Sequence, residues 1–229
     1  MTDIAPARHG RSPEGRAGVR RGLTVAAVEL FCTRGYEETT VDDIAAAAGV
    51  GRRTFFRYFR SKEDAISPDH EAALARVADV FETAHPSEPT ASLVLRAGET
   101  VLDMYVEDAA LSVRRFRLTH EVLALRDRES ASVDRYRRLF TRYLRRRFAD
   151  RPDGELRAAV IGAAVVAAHN LALRSWLAAE APADGLDACR ERFHQVVGML
   201  PPEPDTELHA VAQRLEAAVG RLERRSHPG

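Results

Sequence analysis

Between Thr40 and Asp64 the chain is punctuated so closely that only two short helices and a sharp turn fit. Thr40-Val41-Asp42-Asp43 reads as a capping box, with an N-cap hydroxyl and an acidic residue three positions on. Val41, Ile44, Ala45 and Ala48 then fall on one helix face. Gly49 ends that helix as a left-handed C-cap. Only Val50 and Gly51 separate it from a second helix, predicted over Arg52 to Phe59, whose Phe55 and Phe59 share a face. Ser61-Lys62-Glu63-Asp64 repeats the capping pattern and opens a longer helix through Ile66, Leu74, Val77 and Phe81. Two short helices about a Gly-centred turn, behind a longer supporting helix, make a helix-turn-helix.

The supporting helix starts at Ser12-Pro13, an N-cap hydroxyl followed by proline at the first helical position. Leu23, Ala27, Leu30 and Phe31 form its apolar face, and Gly35 stops it. Beyond a loop at 84–90, set by Pro86 and Pro89, further helices are predicted at about 91–107, 109–126, 130–149, 154–180 and 184–199. The breakers are Asp108, Asp127, Pro152-Asp153-Gly154 and Pro182. Pro201, Pro202 and Pro204 form a hinge before a last helix at about 205–225, where Leu208, Val211, Leu215, Ala218 and Leu222 are spaced like heptad positions. Strand-like alternation is absent, so the expected fold is all-α. Its expected parts are a disordered tail at 1–11, a helix-turn-helix domain at 12–66, a helical body at 67–200 and a C-terminal extension at 201–229.

The formal charge is zero, with 34 basic and 34 acidic residues, but it is segregated. Residues 1–60 carry +3, 61–113 carry −8, 114–147 carry +8 and 148–229 carry −3. A balanced total therefore does not exclude a nucleic-acid partner. Seven arginines fall within 135–147, opposite Tyr136, Leu139, Phe140, Tyr143 and Leu144. They read either as a solvated face paired with the acidic 61–113 segment or as a site for an anion such as the phosphates of a CoA-type ligand.

Several classes are disfavoured. Cys32 and Cys189 form neither a disulfide framework nor a CxxC pair, which fits a reducing cytoplasm. The N-terminus has no apolar stretch of a secretory signal. The longest apolar run, Ala158–Ala168, is too short to span a bilayer and reads as a buried helix. No HExxH, GxSxG, P-loop or dinucleotide fingerprint occurs, and the eight histidines are scattered, so no enzyme, cofactor or metal site is expected.

The second short helix begins Gly51-Arg52-Arg53-Thr54, the end at which a recognition helix meets base edges. Arg52, Arg53, Phe56 and Arg57 face away from Phe55 and Phe59; an arginine there can bond guanine O6 and N7 together. Tyr58 and Lys62 are expected to reach phosphates, and Thr40 stands at a helix N-terminus that favours a phosphate oxygen. The ordered set Ala27, Leu30-Phe31, Gly35-Tyr36, Thr39-Thr40-Val41, Ile44-Ala45, Ala48-Gly49-Val50, Thr54-Phe55-Phe56-Arg57-Tyr58-Phe59 and Ser61-Lys62-Glu63 resembles the DNA-binding domain of the TetR (tetracycline-repressor-like) family. The resemblance covers residues 20–66. It implies a homodimeric, ligand-released repressor that binds a palindromic operator in double-stranded DNA. A transcriptional activator of the same family and a helical interaction protein are the alternatives. It also implies DNA-facing roles for Thr40, Arg52, Arg53, Thr54, Phe56, Tyr58 and Lys62. Position 56 is often tyrosine in the family; Phe56 has no hydroxyl for a phosphate, so its contact is apolar. Residues 36–64 are further similar to actinobacterial regulators related to the mycofactocin-system regulator, which implies a fatty acyl-CoA effector.

By the same resemblance, residues from about 90 to 180 enclose the effector pocket. Its candidate lining is Met104, Tyr105, Phe116, His120, Tyr136, Phe140, His169, Asn170 and Trp176. The pair His169-Asn170 stands out, because it interrupts an apolar run and a buried polar pair needs partners. The last two body helices are expected at the dimer interface, with Gly162, Ala163 and Ala167 allowing close approach.

Overall fold

The structure, a computed structural model, describes residues 13–199, and these are helical with no strand among them. The expected 1–11 tail, the Ser12 cap and the 205–225 helix lie outside the described residues. The head comprises α1 (Pro13–Arg34), α2 (Val41–Ala47), α3 (Arg52–Tyr58) and α4 (Lys62–Ile66). The body comprises α5 (His70–Glu82), α6 (Thr90–Val106), α7 (Ala109–Glu121), α8 (Leu123–Arg147), α9 (Gly154–Ala178) and α10 (Leu186–Gly198).

The head closes on one apolar cluster. Leu23, Ala27, Val28 and Phe31 of α1 meet Ile44, Ala45, Phe55 and Phe59, all buried. Val28 fills the place expected of Leu30, which is only partly buried. The Thr40 capping box forms as read, with the Thr40 hydroxyl accepting from the Asp43 N–H and the Asp43 carboxylate accepting from the Thr40 N–H. The turn between α2 and α3 needs Gly49, whose φ of +67° strains any residue with a side chain.

Two boundaries differ from the sequence expectation. The helix opened by Ser61 ends at Ile66 and does not run on to Phe81. Pro68 forces the change: the residue before a proline is pushed out of the helical region, and Ser67 has ψ 138°. Asp69 then caps α5 by accepting from the Ala72 N–H at 3.1 Å. The break expected at Asp127 falls at Val122, a single extended residue that closes α7 and opens α8. The bend lets Leu111 and Leu118 of α7 and Leu125 of α8 all join the head cluster.

In the body, α9 packs against α6, α7, α8 and α10. Gly162 turns toward α8, where a Cβ would come within 2.7 Å of Thr141 Oγ1. The expectation that Gly162 serves a dimer interface is therefore corrected: its small size serves α8–α9 packing within one chain. Ala163 and Ala167 do face outward. So do Leu156, Val160 and Leu171, at 69%, 53% and 59% exposure. By length and composition α9 is apolar enough to cross a membrane, although the Ala158–Ala168 run alone is not. Its other face is buried in the body through Ile161, Val165, His169 and Trp176.

Candidate nucleic-acid interface and effector cavity

Helix α3 is fixed from below. Phe55 is fully buried, with Phe59 beside it at a ring separation of 5.6 Å. That anchoring leaves Arg52, Arg53, Phe56 and Arg57 exposed, with Thr54 and Tyr58 half-buried at the edges. Arg52 pairs with Asp42 at 2.8 Å and lies 5.1 Å from the centre of the Phe56 ring. Arg57 lies 5.8 Å from the Tyr58 ring. Arg53 has no side-chain hydrogen bond or ion pair among the described residues, and Phe56 is 47% exposed.

Two expected phosphate contacts find other partners. The Thr40 side chain is engaged in its own capping box. Lys62 Nζ donates to Tyr36 O at 2.6 Å and Thr39 O at 3.1 Å, and sits 4.0 Å from the Tyr36 ring. Both carbonyls belong to the loop between α1 and α2. The ammonium thus clamps the loop that precedes α2. Tyr36 donates to Glu63 in the same cluster. Burial and the Glu63 carboxylate push the Tyr36 phenol well above its ordinary value.

A cavity of about 460 Å³ lies beneath the head, walled by α7, α8, α9 and the α4–α5 linker. Ile66 at the end of α4 and Ser67 and Pro68 of that linker line it, so whatever fills it touches the connection to the head. Among the expected lining residues, Phe116, His120 and Asn170 border this space. Tyr136, Phe140, His169 and Asn170 border a smaller adjoining chamber, and Tyr105 borders both. Met104 and Trp176 are corrections. Met104 packs against the body core, and Trp176 is buried with its indole N–H donated to Pro182 O at 3.0 Å. Neither lines the cavity or the chamber.

The polar wall between the two spaces was not legible beforehand. Glu129 of α8 accepts from the Tyr105 hydroxyl at 3.3 Å. Its other oxygen lies 3.4 Å from His70 Nε2, an ion-pair distance whose geometry falls outside a hydrogen bond. His70 Nδ1 lies 3.1 Å from the Tyr136 hydroxyl. Burial alone would raise the Glu129 carboxyl, but the His70 ring, the Tyr105 hydroxyl and the Arg174 charge outweigh it and hold the group below its ordinary value. Burial lowers His169 to about 4 against a smaller opposing pull from Asn170, and His169 Nε2 has no partner among the described residues. Arg115, Arg126, Arg128 and Arg174 also line the main cavity. They come from α7, α8 and α9, and only packing brings the three helices together.

The conspicuous arginines of 135–147 are mostly engaged elsewhere. Arg135 faces Glu71 at 3.7 Å, Arg137 and Arg138 share Asp134, and Arg145 pairs with Glu155 at 2.6 Å. Arg142 and Arg146 flank the Tyr143 ring, and Arg147 donates to Thr90 Oγ1 at 2.7 Å. A paired, solvated face describes this segment better than an anion site does, but its carboxylates come from Asp134 and Glu155 as well as from Glu71 of the acidic 61–113 segment.

Comparison with known proteins decides the family. Residues 23–65 match the model described as bacterial regulatory proteins, tetR family, and residues 88–201 match the MftR C-terminal domain. The chain belongs to the TetR family. The matched residues span α1 to α4 and most of the body, so the resemblance first seen in the head extends to both parts.

A Mycobacterium tuberculosis protein named as the mycofactocin biosynthesis transcriptional regulator MftR is 40% identical over 74 residues, covering 30% of this chain and 37% of that protein. Alignments to the curated relatives span between 26% and 55% of those proteins' lengths. A TetR-family transcriptional regulator from Syntrophomonas wolfei has the same fold, with a TM-score of 0.59 at 18% identity over 80% of this chain and 93% of that one. The Thermus thermophilus repressor FadR, solved with lauroyl-CoA, gives 0.52 at 24% identity over 82% and 98%. Within the TetR frame, α2 and α3 form the helix-turn-helix and α9 is a long body helix with an exposed apolar outer face.

Proposed function

We propose that this chain is a cytoplasmic, sequence-specific DNA-binding repressor that acts as a homodimer and is released from its operator by a small-molecule effector in the body cavity. One observation carries the DNA-binding reading: fully buried Phe55 turns Arg52, Arg53, Phe56 and Arg57 of a short helix-turn-helix outward together. That helix end is where a recognition helix reads the major groove. Residues 13–66 form the DNA-binding head and 67–199 the effector-binding and dimerisation body.

A second copy is the proposed occupant of the outer face of α9. Leu156, Val160, Ala163, Ala167 and Leu171 recur at three- and four-residue intervals along it. A contiguous apolar stripe of that length marks an interaction surface, and a two-fold dimer covers the same patch on both chains. The effector reading rests on the contact between the cavity and residues 66–68, because occupancy there bears on the joint between body and head. The lauroyl-CoA in the FadR complex makes an acyl-CoA thioester a first effector to test.

The test is an anisotropy titration of the full chain on DNA flanking its own gene, against a scrambled duplex. The reading expects tight binding to the flanking DNA alone, weakened by an effector. Equal affinity for both duplexes at every salt concentration contradicts it.

A further inference from the structure

Arg115 stands apart from the other charges around the main cavity. Its Nε is shut off from solvent, yet among the described residues no hydrogen bond or ion pair reaches its guanidinium. Burial lowers its pKa to about 10, against smaller opposing pulls from Tyr105, Asp108 and Glu129. The two carboxylates near enough to be felt are already committed. Asp108 accepts from Arg21 at 2.6 Å and from the Leu111 N–H at 3.1 Å. Glu129 is held by Tyr105 and faced by His70. Arg115 is half-buried, but an enclosed Nε without a hydrogen bond is costly, and natural interiors pair such groups.

The guanidinium borders the 460 Å³ cavity, and Arg174 of α9, also without a side-chain hydrogen bond or ion pair among the described residues, borders the same space. The rest of the wall is mixed: Phe116, Leu125, Val133, Leu173 and Leu177 supply apolar surface, beside the polar groups of His120, Arg126, Arg128, Glu129 and Asn170. We infer that the cavity is built for an amphipathic organic anion, whose negatively charged oxygens pair with Arg115 while its apolar part lies along α7, α8 and α9. This inference rests on the effector reading above. It adds the charge of the ligand and the residue that receives it. Two sources supply the same chemistry: the carboxylate of a free aliphatic acid, or a phosphate of a CoA thioester whose own carbonyl is neutral.

The experiment is isothermal titration of the full chain with decanoate, decanoyl-CoA and 1-decanol, repeated on Arg115→Gln and Arg115→Lys. At least one of the two anions should bind the parent chain more tightly than 1-decanol does. That anion should lose roughly tenfold or more in affinity on Arg115→Gln, the scale of a charge-assisted hydrogen bond, and recover in part on Arg115→Lys. Which anion shows the loss tells carboxylate from phosphate. Thermal unfolding separates a binding role from a folding one. Arg115→Gln should melt no lower than the parent without ligand, because it removes a partly enclosed charge without an ion-pair partner, and should lose the anion-induced rise in melting temperature. Anion binding that is unchanged in Arg115→Gln overturns the inference and leaves the effector reading standing, as does 1-decanol binding as tightly as both anions. If none of the three binds the parent chain, both fail together.

Discussion

Arg53 and Lys62 carry the same charge in opposite surroundings. Arg53 is exposed on α3, whereas Lys62 is tied to Tyr36 O and Thr39 O. Arg53→Ala should cost about 1–3 kcal/mol on the operator and much less on random DNA, since a base contact is lost. Competition binding with the two duplexes checks this, and equal losses on both would assign Arg53 to the backbone. Lys62→Ala should instead lower the stability of the head by about 1 kcal/mol or more, because the buried Thr39 loses its carbonyl's donor and Tyr36 O keeps only the long bond from the Thr39 N–H. Chemical denaturation followed by circular dichroism reads that loss. His169 supplies a pH signature. Its folded pKa of about 4 lies below the ordinary 6.5, so the unfolded chain takes up a proton first as pH falls. The contribution of this residue to stability is complete above pH 6.5 and drains away by roughly 1.4 kcal/mol per unit down to about pH 4. His169→Gln should flatten the melting-temperature profile in that window, and a profile parallel to that of the parent chain would refute the assignment.

At the scale of elements, what the sequence disclosed depended on whether the deciding interaction was local. The head could be read because its boundaries are set by neighbours: Thr40 with Asp43, Gly49 with its positive φ, and Ser61 with Asp64. The break at Pro68 is equally local, and the proline itself was the signal for it. The extended Val122 has no such mark, since the α7–α8 bend answers to Leu111, Leu118 and Leu125 reaching the head. Cavity residues divide in the same way. Aromatic and histidine candidates on the body helices could be named in advance, although Met104 and Trp176 turned out to be core. Arg115 and Glu129 could not, because isolated charges acquire meaning only from what packs around them. Gly98 shows the same dependence. A Cβ there would come within 2.4 Å of the Phe193 ring, which is buried where α6 meets α10. Gly98→Ala should destabilise the body by about 1–3 kcal/mol through overpacking, measured as a lower urea midpoint with an unchanged slope.

For the molecule as a whole, the charge pattern and the α9 stripe describe one assembly. The head is only mildly basic, at +3 over residues 1–60, so in the proposed dimer its affinity would rest on placed contacts doubled by the second copy. Part of the larger +8 of residues 114–147 is met by carboxylates outside that segment, including Glu29, Asp64 and Glu155. A charge placed in the stripe, as in Val160→Glu or Leu171→Glu, should give monomers by sedimentation velocity and a matching loss of operator affinity. The most direct test of the whole account is a DNase footprint of the full chain on DNA flanking its gene. The account predicts a protected palindrome whose half-site centres lie about one helical turn apart, roughly 34 Å or slightly more. Arg53→Ala should shift protection of both halves together to higher protein concentration. Protection of a single half-site, or of no defined sequence, would contradict a paired-head regulator.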